Sequence, residues 1–101
     1  MSEINGALSG LKIVACSTAQ AGTVPYMLMA DLGAEVIKIE TPGKGDNNRN
    51  SGFLEGEIGS FFETNNRGVK SLTLNLKSEK GQKILHSLIK DADVFGQNFR
   101  P

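Results

Sequence analysis

The chain has 101 residues, 39% of them hydrophobic, and its 11 basic and 11 acidic side chains cancel to a formal net charge of zero. That length suits one small domain, and the charge balance excludes bulk electrostatic capture of nucleic acid or an anionic membrane. Cys16 is the only cysteine, which excludes an internal disulfide and fits a reducing compartment.

The opening residues, Met1 to Gly6, have neither the basic nor the apolar region of a secretory signal, and no apolar run approaches the ~20 residues that span a bilayer, so the cytoplasm is the expected location. Residues 1–10 read as a lead-in, with Leu8-Ser9-Gly10 turning the chain into a strand over 11–16. That strand is rich in Ile, Val and Leu without strict alternation, as expected when both faces are covered. A small-residue loop over 17–23 follows. Thr23 is the expected cap of a helix with Pro25 in its first turn, running to about Leu32, with Met27, Leu28, Asp31 and Leu32 three or four apart along one expected apolar face. Gly33 stands where that helix should stop. Residues 34–40 then give a second strand. Strand, helix and strand in this order form a βαβ unit, for which parallel pairing and a right-handed crossover are the default.

Residues 41–59 change in texture. They read as a long polar loop with Gly43, Gly45 and Gly52 as turn formers, and a loop of that length fed by a strand end is expected to be functional. A short helix over 60–65 carries Phe61 and Phe62. Residues 71–76 alternate, with Leu72, Leu74 and Leu76 on one side, which predicts a strand with one covered face. Ser78 caps a last helix to about Asp91, with Ile84, Leu85, Leu88 and Ile89 as its apolar stripe. Residues 93–98 give a fourth strand. The expected fold class is α/β, a Rossmann-like, mostly parallel sheet with flanking helices, forming part of a larger domain.

Motifs for familiar chemistry are missing. No G-x-G-x-x-G or phosphate-binding G-x-x-x-x-G-K-[ST] run is present, and no G-x-S-x-G surrounds Ser17, Thr18 or Thr23. One cysteine and one histidine, His86, do not make a zinc site; Cys16 reads as a small buried residue at a strand end and His86 as a packing or surface group. Asp46, Glu55 and Glu57 are candidate acids, but nothing in their spacing selects one, and a surface role is the preferred reading. Lys44, Arg49, Arg67 and Lys70 lie near glycine-rich turns and are candidates for holding phosphate, with a solvated charged surface as the alternative.

The residues that carry a family likeness run through the whole chain. They are Leu8 to Val14 with Gln20-Ala21-Gly22, then Asp31 to Asp46, Asn65 to Lys77, and Ala92 to Pro101. In order and spacing these blocks resemble family III coenzyme A transferases, the formyl-coenzyme A and carnitine coenzyme A transferase group. The resemblance implies that residues 1–101 are the amino-terminal portion of a large Rossmann-like domain, in an enzyme whose two chains interlock as a homodimer. It implies movement of coenzyme A between carboxylic acids through an aspartyl-coenzyme A thioester. The nucleophilic aspartate falls beyond the Asn98-Phe99-Arg100-Pro101 block, so no catalytic residue is expected here.

By the same resemblance, Gln20 and Ala21 approach coenzyme A, Thr41 lies near its nucleotide end, Leu74 or a neighbour lines the adenine pocket, and Asn98 and Phe99 approach from the last block. Thr41 stands where the family often has Arg, Thr18 where it has His or Arg, and Gly96-Gln97 where Val-Glu is usual. Acyl-coenzyme A and a carboxylic acid are the expected partners, with no permanently bound cofactor, no metal, no nucleic acid and no membrane. A non-catalytic coenzyme A-binding fragment and an acyl-coenzyme A racemase of the same family are the alternatives.

Overall fold

A computed structural model describes residues 6–18, 21–50, 54–55 and 58–101. The first strand, β1 (Lys12–Cys16), leads through a loop to helix α1 (Val24–Asp31) and strand β2 (Glu35–Glu40). A 3-10 turn (Asn47–Asn50), strands β3 (Leu54–Glu55) and β4 (Ile58–Gly59), and helix α2 (Ser60–Asn65) come next. Strand β5 (Lys70–Thr73), helix α3 (Glu79–Lys90) and strand β6 (Val94–Gln97) complete the order.

Four strands form one sheet in the order β5-β2-β1-β6, and each neighbouring pair is parallel. Val14 stands opposite Ile37 and Phe95, and Ile39 opposite Leu72. The two central strands are covered on both faces, which explains why Ile13, Val14, Ala15 and Cys16 are buried in succession instead of alternating. Val14, Cys16, Ile39 and Leu74 meet Leu85 of α3, with Leu88 and Ile89 packed alongside. On the other face Ile13, Val36 and Ala34 pack with Tyr26, Met29 and Ala30 of α1. The expected α/β sheet with flanking helices is what forms.

The helices differ from expectation in detail. Met27 is buried as expected, but Leu28 and Leu32 are about half exposed, because Tyr26, Met29 and Ala30 take the sheet-facing side. Thr23 precedes α1 as foreseen, yet its side chain makes no capping hydrogen bond. Gly33 does end the helix, at φ 106°, a conformation that favours glycine. In α3 the Ser78 Oγ accepts from the Gly81 N–H at 2.9 Å, which is the expected cap. Ile84 turns outward, leaving Leu85, Leu88 and Ile89 as the packed stripe.

The long polar segment is not a plain loop. It contains the 3-10 turn and an antiparallel pair in which Leu54 stands opposite Gly59 and Glu55 opposite Ile58. Short polar residues and glycines concealed this pairing, because a two-residue strand carries no readable alternation. Gly52 and Glu57, named above as turn former and candidate acid, lie outside the described residues, as do residues 1–5 of the lead-in.

Candidate functional site

Because all four strands run the same way, their carboxyl ends share one rim. The chain steps from β1 to β2 and β5 on one side, then returns to place β6 on the other side of β1. The strand order therefore reverses between β1 and β6, and the crevice outside such a reversal is where open α/β sheets take ligands.

At the reversal the walls are tied together. The Asn98 side chain, just past β6, accepts from the Thr18 N–H through Oδ1 at 3.1 Å and donates through Nδ2 to the Thr18 carbonyl at 2.9 Å. It thereby continues the β1–β6 pairing by one step after the backbone ladder ends. Gln97 Oε1 accepts the Phe99 N–H at 2.7 Å, and the Phe99 ring is 54% exposed beside it. Ala21 is exposed in the loop between β1 and α1. Gly22 packs so closely on Thr18 that a side chain there would strike the Thr18 carbonyl. Gln20 lies outside the described residues.

The other half of the rim, at β2 and β5, holds an open cleft of about 230 Å³ lined by Thr41, Gly43, Lys44, Arg49 and Thr73, with Glu40 and Ser71 at its floor. Thr41 stands among the residues that line this cleft. Leu74 begins just past β5, its N–H donating to the Glu40 carbonyl at 3.0 Å, while its side chain is buried in the α3-side core. The structure therefore gathers Ala21, Asn98 and Phe99 around β1 and β6, and Thr41 with the Leu74 backbone around β2 and β5.

Beneath the cleft lies a polar network that the sequence reading missed. On β2, Val36, Lys38 and Glu40 face the α1 side, and all three are buried. Lys38 is ion-paired to Asp46 and also donates to Asn66 Oδ1 at 2.8 Å. Glu40 accepts Arg49 Nε at 2.8 Å and its terminal nitrogen at 2.6 Å, the Asp46 N–H at 2.9 Å, and the Ser71 hydroxyl. Burial pushes the Glu40 carboxyl up, but the Arg49 guanidinium, the Ser71 hydroxyl and the Asp46 N–H together outweigh it and hold its pKa at about 2. The Phe62 ring covers both cations, with the Arg49 guanidinium 3.9 Å and the Lys38 ammonium 5.5 Å from its centroid.

Two expectations are corrected here. Asp46 is not a surface acid: it is fully buried. The four basic candidates do not form one phosphate-holding group. Lys44 and Arg49 line the cleft, whereas Arg67 pairs with Asp31 and Lys70 with Glu35 towards the amino ends of the strands, far from the rim. The readable signal for the network was Lys38 itself, a lysine amid Val36, Ile37 and Ile39 in the second strand. Such a cation must find an acid. Cys16 is buried at its strand end, its thiol pushed up by burial, and His86 is exposed. Among the described residues no group of His, Cys, Asp and Glu side chains is placed to hold a metal ion.

Comparison with known proteins gives a consistent answer. The family description "CoA-transferase family III" matches residues 8–101. An acyl-CoA transferase of Fusarium pseudograminearum is 40% identical over 99% of this chain and 24% of its own length. Human succinyl-CoA:glutarate CoA-transferase is 42% identical over 93% of this chain and 22% of its own length. Among solved structures, a CAIB/BAIF family protein from Brucella suis superposes with a TM-score of 0.88 at 37% identity, covering 95% of this chain and 26% of that one. The chain spans about a quarter of the length of these proteins, so the α/β unit corresponds to part of a domain that is larger in them.

Proposed function

The chain belongs to CoA-transferase family III, and from that premise we propose that it supplies the coenzyme A cradle of an enzyme moving coenzyme A between carboxylic acids. The observation that carries this reading is the parallel register, which opens four strand ends on one rim with the strand-order reversal at β1 and β6. A long polyanionic thioester needs amides, cations and apolar walls along one edge. Thr41, Lys44 and Arg49 offer hydroxyl and cationic groups at one end of that rim, and Ala21, Asn98 and the exposed Phe99 ring offer backbone and an aromatic face at the other.

In this reading the loop carrying Gln20 and Ala21 approaches the pantetheine arm, Thr41 and the Leu74 segment flank the nucleotide, and Asn98 and Phe99 close the crevice. Transfer passes through an aspartyl-coenzyme A thioester formed on a carboxylate of another part of the intact enzyme. Asp46 does not fit that role: it is buried, paired to Lys38 and an acceptor for the Asn48 N–H at 2.9 Å, with no open path to a thioester carbonyl. The reading includes residues 1–101 as the start of the large domain, a homodimeric cytoplasmic enzyme, and an isolated chain without activity. β6 is an edge strand with Val94 and Phe95 exposed, so further protein is expected against it, and no helix among the described residues is long and apolar enough to cross a membrane.

The test is calorimetry and acyl exchange on the intact parent with coenzyme A thioesters and free carboxylates. Micromolar binding of coenzyme A with exchange of label between acid and thioester is expected. Racemisation of a branched acyl-coenzyme A without exchange would favour the racemase instead, and binding without turnover the non-catalytic module.

A further inference from the structure

We propose that Lys38 is a positioning residue for the ligand cleft: through Asp46 it locks the segment of residues 41–50 against the rim, so that Thr41 and Lys44 meet a phosphate ester in a loop already in place. The proposal rests on the coenzyme A reading above for the identity of the ligand, but its structural half does not.

Neither Lys38 nor Asp46 lines the cleft, so their effect on a ligand has to pass through the loop. Lys38 projects from β2 into the layer beneath α1, where it is 3% exposed, and Asp46 is 0% exposed. A buried ion pair is a weak source of stability, since apolar residues of similar volume often do as well or better. What an apolar pair at these positions lacks is direction. The Lys38 ammonium draws Asp46 inward, and Asn66, at the end of α2, holds the same ammonium at 2.8 Å. The loop's return path is thus fixed to both β2 and α2.

The consequences run through the loop backbone. The Gly45 N–H donates to the Thr41 carbonyl at 3.1 Å and the Asp46 N–H to Glu40 Oε1 at 2.9 Å. The Asn48 N–H donates to Asp46 Oδ1 at 2.9 Å and the Arg49 N–H to the Asp46 carbonyl at 3.0 Å. Each of these bonds either has Asp46 as donor or acceptor or spans the turn just before it. Gly45, at φ 64°, packs against Glu40 and Arg49 so that a side chain there would collide with both. A loop ordered in advance does not have to be ordered by the ligand, and the saving appears as affinity.

The experiment uses the intact parent protein and three variants, Lys38→Met, Asp46→Asn and the pair together. The singles leave one buried charge or its partner unmatched and are expected to lose stability. The double variant removes both charges and should melt closer to the parent than either single predicts. In that folded double variant, deuterium exchange of peptides covering residues 41–50 should quicken about tenfold while peptides from β1 and α3 stay unchanged. Calorimetry with coenzyme A should show Kd raised about tenfold, and kcat at saturating thioester should change by less than about twofold, a KM effect. Unchanged exchange over residues 41–50 in the folded double variant overturns the lock. Faster exchange with unchanged Kd overturns its service to the ligand. A parent that binds no coenzyme A overturns the functional reading, and the exchange result alone then decides the lock.

Discussion

Glu40 is a buried acid, 4% exposed, at the floor of the cleft. It closes β2 in a chain of equal acids and bases, and nothing in its neighbours distinguishes it. In the fold it gathers a guanidinium, a hydroxyl and a backbone N–H, and its carboxyl is held at about 2. Because the folded pKa lies below the ordinary glutamate value of about 4.3, its contribution to stability is present above that pH and is lost as pH falls towards 2. Glu40→Gln should therefore destabilise the protein by about 2 kcal/mol at neutral pH, the scale of charge-assisted hydrogen bonds. It should also flatten the acid side of the stability profile between about pH 4.3 and 2. Urea midpoints measured across that range check both. The exposed pairs Arg67–Asp31 and Lys70–Glu35 are the contrast: Arg67→Ala should shift the urea midpoint hardly at all, because exposed pairs are screened.

At the scale of elements, β6 and α1 meet through an unusual contact. β6 carries a glycine, Gly96, at its third position, with no side chain of its own. The structure shows what takes the space: the Tyr26 hydroxyl of α1 stands where a side chain at 96 would begin. Gly96→Ala should cost about 2 kcal/mol by overpacking. Combining it with Tyr26→Leu should recover part of that loss, a non-additivity readable from thermal melts of the four proteins. The cap of α3 makes a second, simpler case. Ser78→Ala removes the acceptor for the Gly81 N–H and should cost about 1 kcal/mol, visible as a lower urea midpoint with an unchanged slope.

For the molecule as a whole, the sheet's two edges are unlike each other. β5 shows Lys70, Ser71 and Thr73, polar residues of the kind that discourage edge pairing. β6 shows Val94 and Phe95 with Phe99 just beyond, all exposed. An apolar edge strand is a template for association. The isolated chain should therefore self-associate with rising concentration in sedimentation experiments, and Phe95→Lys should shift it towards monomer without moving the far-ultraviolet circular dichroism spectrum.

The runs of Ile, Val and Leu over 11–16 and 34–40 and the capped stripe after Ser78 were enough to define the central strands and α3, because burial of apolar faces is local in sequence and periodic; the alternating leucines over 72–76 located a strand but not its end, since β5 stops at Thr73 and Leu74 and Leu76 pack beyond it. The parallel sheet followed from the βαβ order for the same reason, and the ordered blocks from Leu8 to Pro101 were enough for the family. The sequence did not disclose that Asn98 would grip Thr18, that Arg49 and Arg67 would part to opposite ends of the strands, or that Asp46 would sink beneath the loop it ends. Each of those depends on residues far apart in the chain, and a side chain's partner is set by which strand ends the topology brings side by side. Lys38 stands between the two cases: its burial was legible in an apolar strand, but only the folded loop decided which acid would answer it.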